Sequence, residues 1–546
     1  MKINLSLLCF FLTTTLSLAQ TQNELITRYY PNKNKQSEGR YNLLGKEDGV
    51  WKFWFENGQI MQELTFVNGI LNGKAETFYE SGAKQDIGYF KKGLPDSLKT
   101  SFYENGNKKE EGYYIAGIKD GIWTYWFENG KKNKEVYYKG DSTYVINCWD
   151  INGKQTLSNG NGIEISYYSN KQKRSEINYQ NGQKNGLFTE WYKDGKQKTL
   201  AKYKDNLLDS VYTEWYANGQ IKKSTQYLYG AKNGEHKEWF ENGQKWKEAT
   251  FVNNIYDGDY KQWYDNGKIN FRGKYLKGNK EGLWEWFYRN GNPDMNGPFV
   301  NDKQDGHWKY YFYEGSIESE GDYKEGLKEG KWIIYNKNGS KLKETHYQND
   351  KKNGLATTWH ENGKKLQEGN YTNDKEEGLW KAWYDNGQLK DEGTYALGKM
   401  NGFWKGFYKN GKPNYSGTWK NDVRDAEWTF YNRNGIITEK GFYKEGEKHG
   451  HWVYYNENGN IISEGNYNQG KQEGLWMYYY PTSQKFMQQS FKNGKLHGKS
   501  ITWSQKGQMI SSIKYKNGEK HGTNLIYSEK GQLLMKAKFK NGKKVK

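Results

Sequence analysis

Cysteine is nearly absent: 546 residues contain only Cys9 and Cys148. Cys9 lies in an apolar run, Leu5 to Leu18, that follows Met1-Lys2 and ends at Ser17-Leu18-Ala19, where small residues suit a signal peptidase. The pattern predicts a secretory signal peptide over residues 1–19. The run is too short for a membrane anchor, and Cys9 lacks the small residues that precede a lipid-modified cysteine. After cleavage Cys148 is alone, and one cysteine closes no intrachain disulfide even where an oxidising compartment would permit one. Long apolar runs are also missing from the rest of the chain, so nothing later reads as a membrane span.

Aliphatic residues are scarce. Hydrophobic residues make up 34% of the chain and aromatics alone 17%. That balance excludes a thick core of Leu, Ile and Val, and it excludes disorder, which goes with few aromatics. It suits a thin structure in which Trp, Tyr and Phe lie along a sheet with their polar tips in water.

The usual signs of catalysis are missing as well. Of eight histidines only His449 and His451 are close in sequence, and no Cys pair is spaced for metal. His449, His497 and His521 share one position of the repeat described below, which would set His497 and His521 about 10 Å apart on adjacent hairpins, too far to share a zinc ion. No phosphate-cradling Gly-x-x-x-x-Gly-Lys-Ser/Thr segment occurs. Carboxylates are plentiful but recur in frame: Glu128, Asp265 and Glu361 precede Asn-Gly, with Lys131, Lys268 and Lys364 just beyond. Such pairs read as charge support across a hairpin end, whereas catalysis needs one singular constellation. The chain is therefore expected to be no enzyme and to use no cofactor.

What is present in abundance is a 24-residue period. A turn glycine recurs at 58, 82, 106, 130 and 153, then from Gly195 every 24 residues to Gly531, with Lys171 and Ser483 filling two places, so glycine takes 19 of 21 slots. Nine residues earlier glycine takes 17 of 21, as at Gly49, Gly121, Gly306 and Gly474. Eight residues later an aromatic takes 20 of 21. The exception belongs to the unit at Gly153, where about six residues are missing between Asn152 and Gly162.

Asn-Gly between aromatic-polar runs is a hairpin signal, and Asn57-Gly58, Asn129-Gly130, Asn266-Gly267 and Asn386-Gly387 read as type I′ turns. A second turn, such as Asn-Asp-Lys-Glu-Glu-Gly378, leads to the next unit. Recurrent glycine excludes helices, at about 1 kcal/mol for each interior glycine. The predicted fold is all-β: about 22 hairpin units of 24 residues in an elongated, twisted, single-layer antiparallel meander with strands of about six residues. The predicted organisation is a degenerate first repeat at 20–40, regular repeats at 41–143, an irregular shortened repeat at 144–170 that reads as a bend near Cys148, and regular repeats at 171–546.

Like residues at one slot of such an array stack into ladders. One ladder is Trp191, Trp215, Trp239, Trp263, Phe287, Tyr311, Tyr335, Trp359 and Trp383; a second is Tyr203, Tyr227, Phe251, Tyr275 and Phe299. A further Trp slot (Trp284, Trp308, Trp332, Trp380, Trp404) falls three residues before the first ladder. Period two puts it on the opposite face unless a bulge intervenes, so either two aromatic faces or one bulged face is expected.

The consensus Gly-x-Trp-x-x-Trp/Tyr-Tyr-x-Asn-Gly-Lys followed by Glu-Gly-x-Tyr-x-x-Gly resembles the bacterial variant of the MORN (membrane occupation and recognition nexus) repeat. The resemblance implies a repeated hairpin in a single-layer sheet used for protein or lipid contacts. Bacterial proteins with this variant are often labelled putative antitoxins, a role at odds with an export signal. The units are also similar, over fewer features, to aromatic hairpin repeats of cell-wall modules that hold choline or glucan.

Net charge is +19. Lys351, Lys375, Lys399, Lys471 and Lys495 recur at the second turn and would line one edge at about 10 Å intervals, close to a Debye length. The chain reads as an exported scaffold, in the periplasm, at the cell surface or released, whose long sheet contacts an unidentified protein. The alternative is a binder of anionic membrane lipid or acidic polysaccharide through the lysine edge and the Trp ladder. A further alternative is an antitoxin-like or immunity-like protein, and export argues against nucleic acid as partner.

Overall fold

A computed structural model describes residues 24–545. The expected signal peptide lies outside the described residues. Within them the secondary structure is fifty strands and the turns between them, without a helix. Every strand pairing is antiparallel and joins strands adjacent or nearly adjacent in sequence, as from Glu47–Trp54 to Ile60–Val67 to Ile70–Phe78. The chain divides into two compact units, one up to Gly258 and the other from Asp259 onward.

One repeat of the second unit shows how the sequence makes the hairpin. Strand Lys351–Trp359 turns through His360 to Gly363 into strand Lys365–Thr372. His360 N–H donates to Lys364 O (2.8 Å) and Gly363 N–H to His360 O (2.9 Å). Gly363 has φ +81°, but Asn362 before it does not enter the left-handed region, nor do Asn57, Asn129, Asn266 and Asn386. This is a type I turn closed by a glycine bulge, not the type I′ turn expected at Asn57, Asn129, Asn266 and Asn386. The asparagine side chain explains the difference. Asn386 Oδ1 accepts the N–H of Gln388 (3.0 Å) while its Nδ2 donates to Lys409 O of the next hairpin (3.0 Å). The side chain therefore fixes its own turn and ties it to the next.

Type I′ geometry occurs at the other end of the repeat, where both central residues have positive φ: Asn349 and Asp350 (50°, 66°), Asn373 and Asp374 (49°, 68°). The expected six-residue turn from Asn373 to Gly378 is thus two residues long, and Lys375–Trp383 is already strand. Gly378, at φ +72°, is a bulge inside that strand. Hence the strands of this repeat run eight or nine residues, while six is kept in others, as at Ser97–Phe102 and Gly306–Tyr311.

A second bulge, between Ala382 and Trp383 in this repeat, recurs at the ladder position of the hairpins. Aromatic lines nevertheless occupy both faces. On one face lie Trp284, Trp308, Trp332, Trp380 and Trp404, nearly or wholly buried, with the Tyr275–Phe299 line packed edge-to-face on them. Ring planes cross at 84° for Tyr275–Trp284 and 87° for Phe299–Trp308, about 5 Å apart. The first ladder is on the other face. Tyr335, in that ladder, donates to Glu320 (2.7 Å), a residue adjacent to Gly321 on its strand and so directed away from Trp332.

A large indole is buried in a single layer because the strand beneath it presents glycine. A Cβ built on Gly273 would fall 2.2 Å from the Trp284 ring, and one on Gly393 2.0 Å from the Trp404 ring. Each indole N–H donates to a backbone carbonyl ten residues earlier, Trp284 to Lys274 O (3.1 Å) and Trp404 to Thr394 O (3.1 Å). Where the glycine slot holds a larger residue, its partner is not Trp. Ile177 faces Phe188, Thr225 faces His236, and Thr345 faces Ala356. The pair, rather than either residue, fills the space between strands.

Candidate functional site

The tryptophan ladder is built into the turn column. Trp191, Trp215, Trp239, Trp263, Trp359 and Trp383 are all half-buried. The backbone carbonyls of Trp191, Trp215 and Trp239 accept hydrogen bonds from the hydroxyls of Tyr168, Tyr192 and Tyr216 (2.7–2.8 Å). His360 Nε2 makes the same contact to Trp383 O (3.0 Å). Lys341 and Lys365 lie 5.7 Å from the ring centroids of Trp359 and Trp383, and each also pairs with the glutamate three residues on, Glu344 and Glu368. These lysines and rings satisfy one another.

The acids serve the frame too. Glu329 and Glu377 accept the turn N–H groups of Asn349 (3.0 Å) and Leu397 (2.9 Å), and Asp374 accepts Lys352 N–H (2.8 Å). Asp265 pairs with Arg289 of the following hairpin (2.5 Å), not across its own turn with Lys268. Lys268 and Lys364 instead donate to the next turn, at Asn290 O and Asn386 O. Among the described residues no group of three or more His, Cys, Asp or Glu could hold a metal ion.

The irregular repeat has its own core. Strand Gln155–Ser158 is only four residues long. Cys148, 1% exposed, packs with Leu157, Ile177 and Tyr179. Burial pushes its thiol up to about 12, and nearby Glu164 adds to the rise, so the sulfur is inert. Glu164 bridges Lys134 (2.7 Å) and the Tyr179 hydroxyl (2.9 Å) above it. Burial works against the Lys134 charge, but Glu164 prevails and holds its pKa above the ordinary lysine value. A cleft of about 470 Å³ opens beside this core, lined by Tyr144, Val145, Tyr179, Lys184 and Asn206 among others.

Toward that cleft, strands of the first unit expose apolar side chains on the face away from Trp123. Register places Leu98 opposite Tyr113, Ile115 opposite Ile118, and Ile122 opposite Tyr137, and Tyr137 in turn opposite the cleft residue Tyr144. Exposure runs from 36% at Leu98 to 61% at Ile118. Six apolar residues side by side at that exposure form a patch of the kind that marks contact sites. Period counting passes over Tyr113 and Tyr137 because their slot is polar in most other repeats, whereas the slots of Leu98, Ile115, Ile118 and Ile122 carry aliphatic residues elsewhere too, as at Leu187, Leu207, Leu228 and Leu283.

The edge lysines Lys351, Lys375, Lys399, Lys471 and Lys495 flank the two-residue turns. All five are exposed, and none makes an ion pair or ring contact. Around the first three, however, Asp350, Asp374 and Glu377 balance the charge locally.

A family model for the MORN repeat variant matches fifteen segments: 47–68, 96–116, 119–139, 161–181, 208–229, 232–253, 256–277, 280–301, 304–325, 328–349, 352–373, 376–396, 424–445, 448–469 and 520–541. The chain belongs to the MORN repeat variant family. Its MORN segments begin just after the two-residue turns and span the strands described above, so the family repeat and the structural hairpin coincide. No curated protein matches the chain in sequence. Solved structures similar to it include a crystal structure of TcdB2-TccC3 without the hypervariable C-terminal region, at 9% identity and TM-score 0.13, over 95% of this chain and 35% of that one. Another is a structure of the Photorhabdus luminescens Tc holotoxin pore, at 8% identity and TM-score 0.10, over 95% of this chain and 33% of that one. The chain spans about a third of the length of these structures.

Proposed function

We propose that this MORN repeat protein is an exported, non-enzymatic scaffold whose sheet holds a protein partner. The observation that carries the reading is the exposed apolar strip from Leu98 to Tyr137, which ends at the cleft beside Tyr144. Rigid aromatic and branched side chains at fixed strand spacing supply contact area at low entropic cost, as tyrosine-rich interfaces do. The family's repeat architecture agrees with an interaction role. Acids and ladder rings are committed to turns and ion pairs, which supports a role without catalysis.

Affinity capture with full-length protein, in parallel with a Tyr113→Ser, Ile115→Ser, Ile118→Ser variant, tests the proposal. Wild type is expected to retain a protein from the native envelope fraction that the variant loses while keeping its circular dichroism spectrum. Recovery of the same proteins by the folded variant would sink the assignment of this strip. The same substitutions should also lower binding of a hydrophobic dye to the free protein.

A further inference from the structure

The net charge of +19 is concentrated at one end of the chain. From Lys485 to Lys546 there are fifteen lysines and only two acids, Glu519 and Glu529. The glutamate of Glu-Gly-x-Tyr, which pairs with a lysine in many repeats though it is replaced at others such as Leu200, Ser224 and Ser416, is here absent from three repeats in succession, as Gln488, Ser512 and Lys536. Register then sets like charges directly opposite one another: Lys492 with Lys495, Lys499 with Lys514, and Lys540 with Lys543. All six are exposed and make no ion pair. They share the face away from buried Ser500 and Asn524.

Opposed like charges weaken a sheet. A protein that balances its lysines with acids through the preceding hairpins and then abandons the practice gains nothing in stability by it. Solubility is no sufficient reason, since the same turn-flanking slots in the first unit hold exposed Ile70, Leu94, Ile118 and Leu207. Nor is protection of an edge strand, since Lys499 and Lys514 lie on strands paired on both sides.

The geometry points to a linear acidic polysaccharide with a carboxylate on each sugar as the ligand of this face. Opposed lysines stand on adjacent strands about 5 Å apart, close to the length of one sugar in an extended chain, so two successive carboxylates of a polymer crossing the strands meet the two ammoniums of a pair. Lysine's flexible point charge suits carboxylates of variable orientation. Around Lys492, Lys495, Lys499 and Lys514, between Trp476 and Gln532, no large apolar side chain is exposed, so these two pairs have neither anchors for lipid tails nor platforms for nucleic-acid bases beside them, whereas Leu533 and Leu534 are exposed on the strand of Lys540. The surface is separate from the apolar strip, and the inference does not depend on the protein-contact reading.

Co-sedimentation or calorimetry of the full chain with polygalacturonate at low and high salt tests it, with neutral dextran, anionic phosphatidylglycerol vesicles and poly(dT) as comparisons. Binding to polygalacturonate alone, weakening steeply with salt, is expected. Lys499→Gln, Lys514→Gln, Lys540→Gln together should weaken it about tenfold or more, because each lost contact also lowers the salt sensitivity. The thermal midpoint of that variant should hold or rise, since a repulsive pair is removed. A control with the same charge change in the first unit, Lys91→Gln, Lys139→Gln, Lys154→Gln, should bind within about twofold of wild type. Absence of binding at low salt, equal loss in the control, or equally tight binding of vesicles or poly(dT) would overturn the inference.

Discussion

Ala426 occupies the slot that glycine fills in most repeats and holds φ at +58°. A Cβ in the left-handed region costs about 1–2 kcal/mol, of which the greater unfolded-state freedom of glycine returns part. Ala426→Gly is therefore expected to stabilise the protein by about 0.5–1 kcal/mol, read as a higher denaturant midpoint. A residue with the opposite economy is Glu238. Burial would raise its carboxyl, but hydrogen bonds from His236 (2.6 Å) and Lys247 (3.0 Å) bring it down to about 2. A carboxylate whose folded pKa lies below its ordinary value of about 4.3 stabilises the protein fully above that value and loses the effect as pH falls toward about 2. The gap corresponds to about 3 kcal/mol at most, and less in practice because the side chain is 19% exposed. Glu238→Gln should lower stability near neutral pH and flatten the decline between about pH 4 and pH 2, as followed by chemical denaturation across that window.

At the scale of the element, the glycine–tryptophan pair is the unit that decides packing. Gly393→Thr would drive a side chain into the Trp404 ring and cost about 1–3 kcal/mol, and Trp404→Ala would leave a cavity worth about 3–5 kcal/mol. The double substitution recreates the pair that Thr345 and Ala356 already form, buried at 2% and 4% exposure. It is expected to cost less than the sum of the singles by about 1 kcal/mol or more, measured as a double-mutant cycle in urea. The hairpin itself was legible in the sequence, because turn glycines and an aromatic at fixed spacing leave few alternatives to an antiparallel meander. The turn types were not. Asn386 favours a left-handed backbone in general, yet its side chain here bonds Gln388 and Lys409, a choice that depends on the neighbouring hairpin. The faces were undecidable for a similar reason, since alternation fails at the bulge between Ala382 and Trp383. Of the candidate surfaces, the lysines at the turns could be read from their period, whereas the apolar strip at Tyr113 and Ile118 and the opposed lysines at 499 and 514 appear only once register is known.

For the whole molecule, stability in a repeat array is a sum of local terms between neighbours, so unfolding follows the weakest stretch rather than one cooperative step. The buried tryptophans cluster in the second unit, where Trp284, Trp308, Trp332, Trp380, Trp404, Trp428, Trp452 and Trp476 succeed one another. The first unit has Trp51 and Trp123, and between Val136 and Ala249 its core is Val136, Cys148, Leu157, Ile177, Tyr179 and Ala201, with a four-residue strand at Gln155–Ser158 and no buried tryptophan. Less apolar area is buried per strand there, and each aromatic side chain missing removes a large share of the local stabilisation. Cys148 reports on this stretch alone, being the one cysteine among the described residues and shielded both by burial and by a thiol pKa of about 12. Its labelling by a thiol reagent should be negligible in buffer and should begin at a lower denaturant concentration than the loss of tryptophan fluorescence, which the second unit dominates. Coincident transitions for the thiol and for fluorescence would show instead that the array unfolds as one cooperative body, and that the irregular repeat is no weaker than the tryptophan-rich hairpins.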